Sequence, residues 1–302
     1  MIEKTNFGGY GQYVIRSGEL ALSVMELGAT VTSLRYKGRE LVLRYDRAED
    51  YLQKEPYICA AVGRYANRVG KARFTLNGRE YRLTANEGPN QLHGGPASYD
   101  RRVWHSEIAG ESAARFTLVS PDGDNGFPGD LTAAVTYSLG ENSFRIDFEG
   151  VSDADTVYAP TSHMYFDLDG SKNCLDHILT IHADRYLEVD GELIPTGRRL
   201  PVDGSFDFRT PRPVGQDYDH CFVLNGSHAC TVCAGEIAME LHTDFPAVQI
   251  YTASGMGEPF SKNCALALEP EFFPDSPNHP DFPSTLLRKG EKFHKYAEFR
   301  LK

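Results

Sequence analysis

Apolar and polar residues alternate with a period of two along most of this chain. In DLTAAVTYSL one face would carry Leu131, Ala133, Val135, Tyr137 and Leu139. After the turn GEN, apolar residues again alternate with charged ones in FRIDFE. Because successive side chains of a strand point to opposite faces, this pattern predicts a hairpin with one buried and one solvated face.

Further strand-like runs follow the same pattern, with glycine- and proline-rich breakers between them. They are LALSVMELGATVTSLRY, ARFTLVS, HILTIHADRYLEV, IAMELHTDF and AVQIYTAS. The helical signal is weak and short, RAEDYLQK at residues 47–54. With 28 glycines and 17 prolines in 302 residues, the chain is predicted to be all-β, a large antiparallel β-sandwich. We find no linker or repeat and expect one domain over residues 1–302.

The segment ALALEPEFFPDSPNHP contains a carboxylate in an unusual place. Residues 265–268 are apolar on both faces and predict a buried strand, and Glu269 follows them directly. Burying a carboxylate charge is costly. Pro270 is expected to end regular strand pairing. Glu269 therefore either lies in water or has a function.

Composition narrows the possible partners. The net charge is -11, and no dense cluster of lysine and arginine occurs. This argues against nucleic acid and anionic membranes, and mildly against a strongly anionic substrate. No apolar stretch reaches 18 residues, and the N-terminus lacks the apolar core of a signal peptide. We expect a cytoplasmic enzyme or binding protein.

The cysteines and histidines show no metal-binding spacing. Cys230 and Cys233 form a C-x-x-C, but no second pair at comparable spacing accompanies it, so we interpret both as inert thiols. The histidines are dispersed, and DGDNGF places its glycine too early for a calcium loop. The spacing of these residues predicts no metal site.

Several breakers carry more polar groups than a sandwich requires. They are GRYANRVG, GPNQLHGG, PTSHMYFDLDG and DYDHCFVL. Each has a structural explanation when taken alone: Asn67 could cap a turn, and the paired glycines after His93 could form a tight turn. A histidine at a strand end is more often structural than catalytic. Only their combination favours a functional site.

These segments resemble one known family. Together with SPDGDNGFPG and ALEPEFFPDSPNHPDFPSTLLRKGE, and in this order over about residues 63 to 290, they are similar to the aldose 1-epimerase (galactose mutarotase) family. The resemblance implies a galactose mutarotase-like supersandwich. It also implies a cofactor-independent isomerase that interconverts the α and β anomers of free aldohexoses such as galactose and glucose. We expect a monosaccharide substrate and a monomer or homodimer.

The resemblance also implies roles for particular residues. Glu269 takes the place of the family's general base and His163 that of its general acid. Arg68, His93 and Asp219 match the substrate-holding residues, and Asn67 lies beside Arg68. Ring opening needs one group to remove the anomeric proton and another to protonate the ring oxygen. We expect partial burial to make Glu269 a stronger base, and a nearby carboxylate to keep His163 charged.

Two departures from the family pattern and three alternatives remain open. The family commonly has glutamine at the position of Glu271 and asparagine at that of Asp167. Two close carboxylates would raise the pKa of one of them. A hexose-6-phosphate 1-epimerase would need additional cations, for which Arg64 is the nearby candidate. A non-catalytic sugar-binding or sensor domain, or a glycoside hydrolase using Glu269 and Asp219, would be further alternatives.

Overall fold

The computed structural model describes residues 1–53 and 57–302, and strands dominate both ranges. In chain order the strands of these ranges are β1 (Ile2–Phe7), β2 (Tyr10–Ser17), β3 (Leu20–Met25), β4 (Thr30–Tyr36), β5 (Arg39–Glu40), β6 (Ala61–Val62), β7 (Arg68–Val69), β8 (Arg73–Leu76), β9 (Arg79–Arg82), β10 (Gln91–Leu92), β11 (His105–Gly110), β12 (Ala113–Ser120), β13 (Leu131–Leu139), β14 (Ser143–Ser152), β15 (Thr156–Val157), β16 (Thr161–Ser162), β17 (Met164–Phe166), β18 (Ile178–Ile181), β19 (Ala183–Val189), β20 (Pro195–Pro201), β21 (Arg212–Pro213), β22 (Asp219–Leu224), β23 (His228–Ala234), β24 (Ile237–Thr243), β25 (Ala247–Tyr251), β26 (Leu266–Glu271), β27 (Leu286–Leu287) and β28 (Phe293–Leu301).

Helical structure is limited to short turns. Helix α1 (Asp50–Gln53) lies inside the predicted segment 47–54, of which Lys54 falls outside the described residues. The 3₁₀ turns are Gly70–Ala72, Tyr99–Arg101, Asp124–Gly126, Cys174–Asp176, Gly204–Phe206 and Ser276–Asn278. Among the helices described here, none is long and apolar enough to span a bilayer.

Three larger antiparallel sheets form the body of the molecule. Within the described ranges, the first contains five strands in the order β1-β2-β3-β4-β5. The second contains nine, in the order β11-β12-β13-β14-β28-β24-β23-β18-β21, and the third six, in the order β17-β26-β25-β22-β19-β20. The prediction of an all-β, antiparallel sandwich is confirmed.

The apolar core lies between these sheets. Phe166 of the six-stranded sheet packs on Phe299 of the nine-stranded sheet, with 5.0 Å between ring centroids. Tyr13 of the five-stranded sheet meets Phe116 of the nine-stranded sheet at 6.0 Å. These buried rings hold the sheets face to face, because their apolar area is removed from water on both sides.

The hairpin read from the alternating pattern is present as expected. Val135 pairs with Phe148 and Tyr137 with Ile146 across β13 and β14, and all four side chains are buried.

One run that the sequence predicts as a single strand is divided between two sheets. HILTIHADRYLEV breaks at His182, so that β18 belongs to the nine-stranded sheet and β19 to the six-stranded sheet.

The expectation that Pro270 ends strand pairing is wrong. Strand β26 continues to Glu271, with Pro270 paired to Val248 of β25. On its other side, the neighbouring strand β17 begins opposite Leu268, so its pairing with β26 does not extend to Pro270. Pro270, which has no N–H, therefore lies beyond the point where β26 has ladder neighbours on both sides, a position where a strand tolerates proline. The continued strand places Glu269 and Glu271 on the same face.

The C-x-x-C residues lie within β23 and form no disulfide. Cys230 faces the core, and burial raises its pKa to about 12. Cys233 is half-buried on the outer face of the same strand. Two side chains on opposite faces of a strand cannot share a metal ion or a disulfide, in line with their interpretation as inert thiols.

Candidate active site

The sequence-predicted site residues line one cavity at the end of the six-stranded sheet. It has a volume of about 240 Å³. Glu269 comes from β26, Asp219 from the start of β22, and His163 from the connection between β16 and β17. The lining consists of Tyr57, Asn67, Arg68, Glu87, Leu92, His93, His163, Tyr165, Asp219, Tyr251 and Glu269. The fold thus brings together all the residues that the family motifs single out.

Glu269 and His163 form a close buried pair. Nε2 of His163 lies 3.4 Å from Oε1 of Glu269, and the two side chains are 6% and 2% exposed. The backbone of His163 is fixed on both sides, since its N–H donates to the carbonyl of Ala60 and its carbonyl accepts from Cys59. Its ring stacks on Tyr165 with 4.6 Å between centroids. Within the described structure, Nδ1 of His163 and Oε2 of Glu269 are buried and have no hydrogen-bond partner.

Asn67 fixes the orientation and tautomer of His93. The backbone N–H of Asn67 donates to Nδ1 of His93 at 3.1 Å, and the N–H of His93 donates back to the carbonyl of Asn67. An Nδ1 that accepts leaves the proton of a neutral imidazole on Nε2. Both residues have left-handed backbones, with φ of 59° and 51°. Such conformations are uncommon for residues other than glycine and concentrate at functional sites.

The glycine after His93 is required by close packing. Gly94 has a φ of +85°, and a Cβ added there would lie 2.1 Å from the carbonyl oxygen of Gly63. No side chain fits such a distance, so the HGG sequence brings the His93 loop directly against the segment that carries Asn67 and Arg68. The glycines that sequence reasoning left as a simple tight turn therefore position the site.

Arg68 links two acidic side chains at the cavity wall. Its guanidinium donates to both carboxylate oxygens of Glu87, at 2.7 and 2.9 Å. Nη1 also lies 3.7 Å from Oδ2 of Asp219, whose other oxygen accepts from the side-chain amide of Gln249. Burial alone would lower the pKa of Arg68, but the ion pairs with Glu87 and Asp219 raise it. Arg68 is therefore a permanent cation fixed in orientation.

Glu271 lies behind the pair, completely buried. Its Oε1 accepts from the side-chain amide of Asn67 at 3.1 Å, while Oε2 is without a partner in the described structure. Burial, and then the charge of Glu269, raise the pKa of Glu271 well above its usual value. Burial thus favours the protonated, neutral form of Glu271, whose Oε1 supports the Asn67 side chain.

Burial also dominates the proton equilibria of the pair itself. It raises the pKa of Glu269 well above its usual value, with a further contribution from Asp219 and an opposing one from Arg68. It lowers the pKa of His163 to about 3. Burial, together with His163 and Arg68, likewise lowers the pKa of His93. The expectation that a nearby carboxylate keeps His163 charged is wrong, because desolvation outweighs that attraction.

The same side chains could also hold a metal ion. His93, His163 and Glu269 each offer one ligand atom, and these atoms lie within 4.8 Å of one another. Sequence reasoning treated the histidines as dispersed, which does not hold in space, since two of them come within 5.3 Å of each other, ring centroid to ring centroid. The donor set suits Zn²⁺ as well as proton transfer, and removal of metal ions tests the prediction of no metal.

Two polar residues considered from the sequence lie outside the cavity. Arg64 is 2% exposed, and its guanidinium donates to the carbonyl oxygens of Pro128 and Gly129 and to Ser120, holding the SPDGDNGFPG loop. Asp167 accepts from the backbone N–H of Lys172, and burial raises its pKa. Arg64, the cation considered for binding a phosphate, does not line the cavity. Asp167, where this chain departs from the family pattern, does not line it either.

Sequence reasoning missed some members of the site. Tyr57, Glu87 and Tyr251 line the cavity, and Gln249 anchors Asp219. Glu87 directly precedes the segment GPNQLHGG. Its charge beside this polar loop was the sequence feature that could have indicated a place in the site. Gln249 occurs in a strand-like run, where its burial could only be known once β25 was placed between β22 and β26.

A larger cavity of about 840 Å³ lies elsewhere. Its lining mixes charges of both signs with apolar groups, including Arg44, Asp46, Lys172, Glu258 and Phe260. None of the site residues above contributes to it. Cavity size alone therefore does not identify the active site. The smaller cavity is the candidate, because the acid–base groups with shifted pKa values meet there.

Comparisons with known proteins agree with this geometry. The sequence profile of the aldose 1-epimerase family matches residues 11–300. The chain belongs to the aldose 1-epimerase family. The enzyme is accordingly an isomerase with aldose 1-epimerase activity.

Relatives of the enzyme match over nearly the whole chain. Galactose mutarotase of Mus musculus is 39% identical, covering 97% of this chain and 94% of its own. Aldose 1-epimerase of Haemophilus influenzae is 35% identical over 100% of both chains. The crystal structure of galactose 1-epimerase from Lactobacillus acidophilus gives a TM-score of 0.91 at 26% identity, covering 100% of this chain and 98% of that one. An aldose epimerase homologue from C. elegans gives 0.93 at 28% identity, covering 97% and 99%.

Proposed function

We propose that the enzyme interconverts the α and β anomers of free aldohexoses, with Glu269 as general base and His163 as general acid. The observation that carries the proposal is the 3.4 Å approach of His163 Nε2 to Glu269 Oε1 at the wall of a small polar cavity. Galactose and glucose are the expected substrates. The names of similar proteins, galactose mutarotase and galactose 1-epimerase, support galactose.

The reaction needs two proton transfers and no other chemistry. Glu269 removes the proton of the anomeric hydroxyl while His163 donates one to the ring oxygen, and the bond between C1 and the ring oxygen breaks. The open-chain aldehyde rotates about its C1–C2 bond and closes on its other face, with the protons returned. Each of the two groups contributes about 10²–10⁴-fold.

We propose that Glu269 and His163 share one proton. Burial alone favours the form with that proton on Glu269, because it raises the pKa of Glu269 and lowers that of His163. We propose that the sugar offsets this preference. Its anomeric hydroxyl donates to a carboxylate and its ring oxygen accepts from an imidazolium, which stabilises the form with Glu269 ionised and His163 protonated.

The remaining lining residues are suited to holding a sugar. His93 presents its Nε2 proton, Arg68 offers guanidinium N–H groups, and Asp219 offers a carboxylate acceptor. Polar groups that are fixed and desolvated reject analogues lacking the matching hydroxyl. The volume of about 240 Å³ is below the range of about 300–1,000 Å³ typical of drug-sized ligands. This size favours a single monosaccharide.

The direct test is polarimetry with freshly dissolved α-D-galactose and α-D-glucose. We expect optical rotation to reach its equilibrium value faster in proportion to enzyme concentration. A rate equal to that of buffer alone for both sugars would contradict the proposed substrates. It would also revive the sugar-binding alternative, if calorimetry then showed binding without turnover.

We predict that glucose is a better substrate than glucose 6-phosphate, by at least about 10-fold in kcat/KM, or roughly 1.4 kcal/mol. Among the described lining residues Arg68 is the permanently charged cation, and its charge is already paired with Glu87 and Asp219. Arg64 is buried in another loop and cannot reach a phosphate. Coupled assays at equal ionic strength measure both rates. A higher value for the phosphate would support the hexose-6-phosphate alternative.

We predict that activity survives exhaustive chelation. The proposed reaction moves only protons, and we propose that His93, which could serve as a metal ligand, donates a hydrogen bond to the sugar instead. The measurement is polarimetry after dialysis against EDTA and removal of the chelator. If activity falls while circular dichroism shows that the chain stays folded, and Zn²⁺ restores the activity, then His93, His163 and Glu269 hold a metal ion and the acid–base mechanism is wrong.

We predict that Glu271→Gln retains activity and leaves the acidic limb of the pH–rate profile in place. Burial favours the neutral form of Glu271 by raising its pKa, and glutamine copies the shape of the protonated acid and can still accept from Asn67. If Glu271 were ionised, its removal would lower the pKa of Glu269 and move the limb to lower pH. That movement is the contradicting result.

We also predict how Glu271→Gln changes thermal stability as a function of pH. The folded-state pKa of Glu271 lies above the unfolded value, so the wild type loses stability as pH rises above the unfolded value of about 4.3. Glu271→Gln does not titrate. Its Tm should therefore exceed that of the wild type at pH 7, and the excess should shrink towards pH 4. An excess that is the same at both pH values would contradict the assignment.

We also propose that the enzyme acts in the cytoplasm as a monomer or homodimer, with the whole chain as one domain and without nucleic-acid or membrane partners. The net charge of -11 supports the last two points.

A further inference from the structure

Three of the ten histidines lie together beside strands β23 and β24 of the nine-stranded sheet, outside the cavity described above. They are His182, in the connection between β18 and β19, His228 on β23 and His242 on β24. The rings of His228 and His242 are stacked at 4.6 Å, and the ring of His182 lies 4.3 Å from that of His228. Such clustering of titratable rings on a solvent-facing surface has no role in the reaction.

The local sequence explains how these side chains come to share a face. In β24 the buried Met239, Leu241 and Thr243 alternate with the half-exposed Glu240 and His242, so the latter two point outwards together. His228 is the direct cross-strand partner of His242.

A β-bulge sets the direction of His228. In a regular strand, His228 would face the opposite side from Thr231, three residues further on. The ladder between β23 and β24 shifts between His228 and Cys230. The extra residue turns His228 outwards, and its Nε2 lies 3.1 Å from Oγ1 of Thr231. Bulges commonly redirect a side chain at functional positions.

The ligand atoms of His228, Glu240 and His242 are already close. They all lie within 4.8 Å of one another, and Nε2 of His242 is 3.3 Å from Oε2 of Glu240. Zinc binds imidazole nitrogen and carboxylate oxygen at about 2.0–2.2 Å, so small rotations of these side chains would bring them around one ion.

The composition of the cluster suits a metal cation, because imidazole nitrogen and carboxylate oxygen are both ligands that zinc prefers. Glu240 supplies a negative charge, at present paired with the ammonium group of Lys302, which a metal ion would displace.

We propose that His228, Glu240 and His242 form a Zn²⁺-binding site on the outer face of the nine-stranded sheet, with water completing the coordination. The ion joins β23 to β24 at the bulge and stabilises the folded chain. It takes no part in anomer interconversion, because none of its ligands lines the cavity.

The test is isothermal titration calorimetry of chelator-stripped protein with ZnCl₂, in the wild type and four variants. We expect one ion per chain in the wild type. His228→Ala, His242→Ala and Glu240→Gln should each weaken Kd at least 10-fold. His105→Ala is the matched control, because His105 is an exposed histidine on β11 of the same sheet. This variant should leave Kd unchanged. Polarimetric activity, which the site does not affect, verifies that each variant is folded.

Thermal unfolding provides a second measurement. Zn²⁺ should raise the Tm of the wild type and of His105→Ala, and raise it less in the site variants. The proposal is overturned if the wild type, His228→Ala and His242→Ala all bind Zn²⁺ with equal Kd. That result would place the ion elsewhere, for example on His93, His163 and Glu269. It is also overturned if the wild type binds no Zn²⁺.

Discussion

Glu269→Gln is expected to lower kcat at least about 100-fold, the lower limit for loss of a general base. Glutamine keeps the shape of the side chain but cannot accept the anomeric proton. KM should change much less, because Arg68, His93 and Asp219 still hold the sugar. Polarimetry over a range of α-D-galactose concentrations separates the two constants.

Glu271→Gln is the matched control, since it makes the same chemical change two residues later on the same buried strand. The control should remain active. The folded-state pKa of Glu269 is raised, so glutamine removes a penalty that grows as pH rises through the unfolded pKa, and the Tm of Glu269→Gln at pH 7 should hold or rise. A folded Glu269→Gln enzyme with near-normal turnover would place the base elsewhere.

His163→Asn is expected to cause a second loss of at least about 100-fold in kcat. Asparagine remains polar but cannot deliver a proton to the ring oxygen. His177→Asn is a suitable control, because His177 is equally buried but lies outside the cavity. Polarimetric kcat values for both variants make the comparison, with circular dichroism to confirm folding.

The double variant Glu269→Gln/His163→Asn tests whether the two groups act together. Its loss should be smaller than the product of the single losses, because proton removal and proton delivery belong to one step. Strictly multiplicative losses would mean that the two groups act in separate steps.

The strand pattern was predictable because it depends on local sequence. Alternation in β13 and β14 identified both faces of the hairpin, and the apolar run before Glu269 identified a buried strand. The assignment of strands to sheets was not predictable. The break at His182 separates two sheets within one apolar run, and only packing decides where a chain crosses between layers.

The site was predictable as a set of residues but not as an electrostatic arrangement. Motif resemblance selected Glu269 and His163, and the fold brings them to 3.4 Å. The direction of the His163 pKa shift was predicted wrongly, because the degree of burial is a property of the folded chain. The continuation of β26 past Pro270 was missed for a similar reason, since the beginning of the neighbouring β17 cannot be seen in the sequence of β26.

The hydrogen bond between Asn67 and Glu271 joins residues 204 positions apart in the chain. Loop closure over such distances is slow compared with the formation of local hairpins. The acid–base pair and its supports therefore assemble only after the chain has brought its first third against its last. During refolding, strand signals in circular dichroism should return before mutarotation does, so that catalytic activity reports the completion of folding.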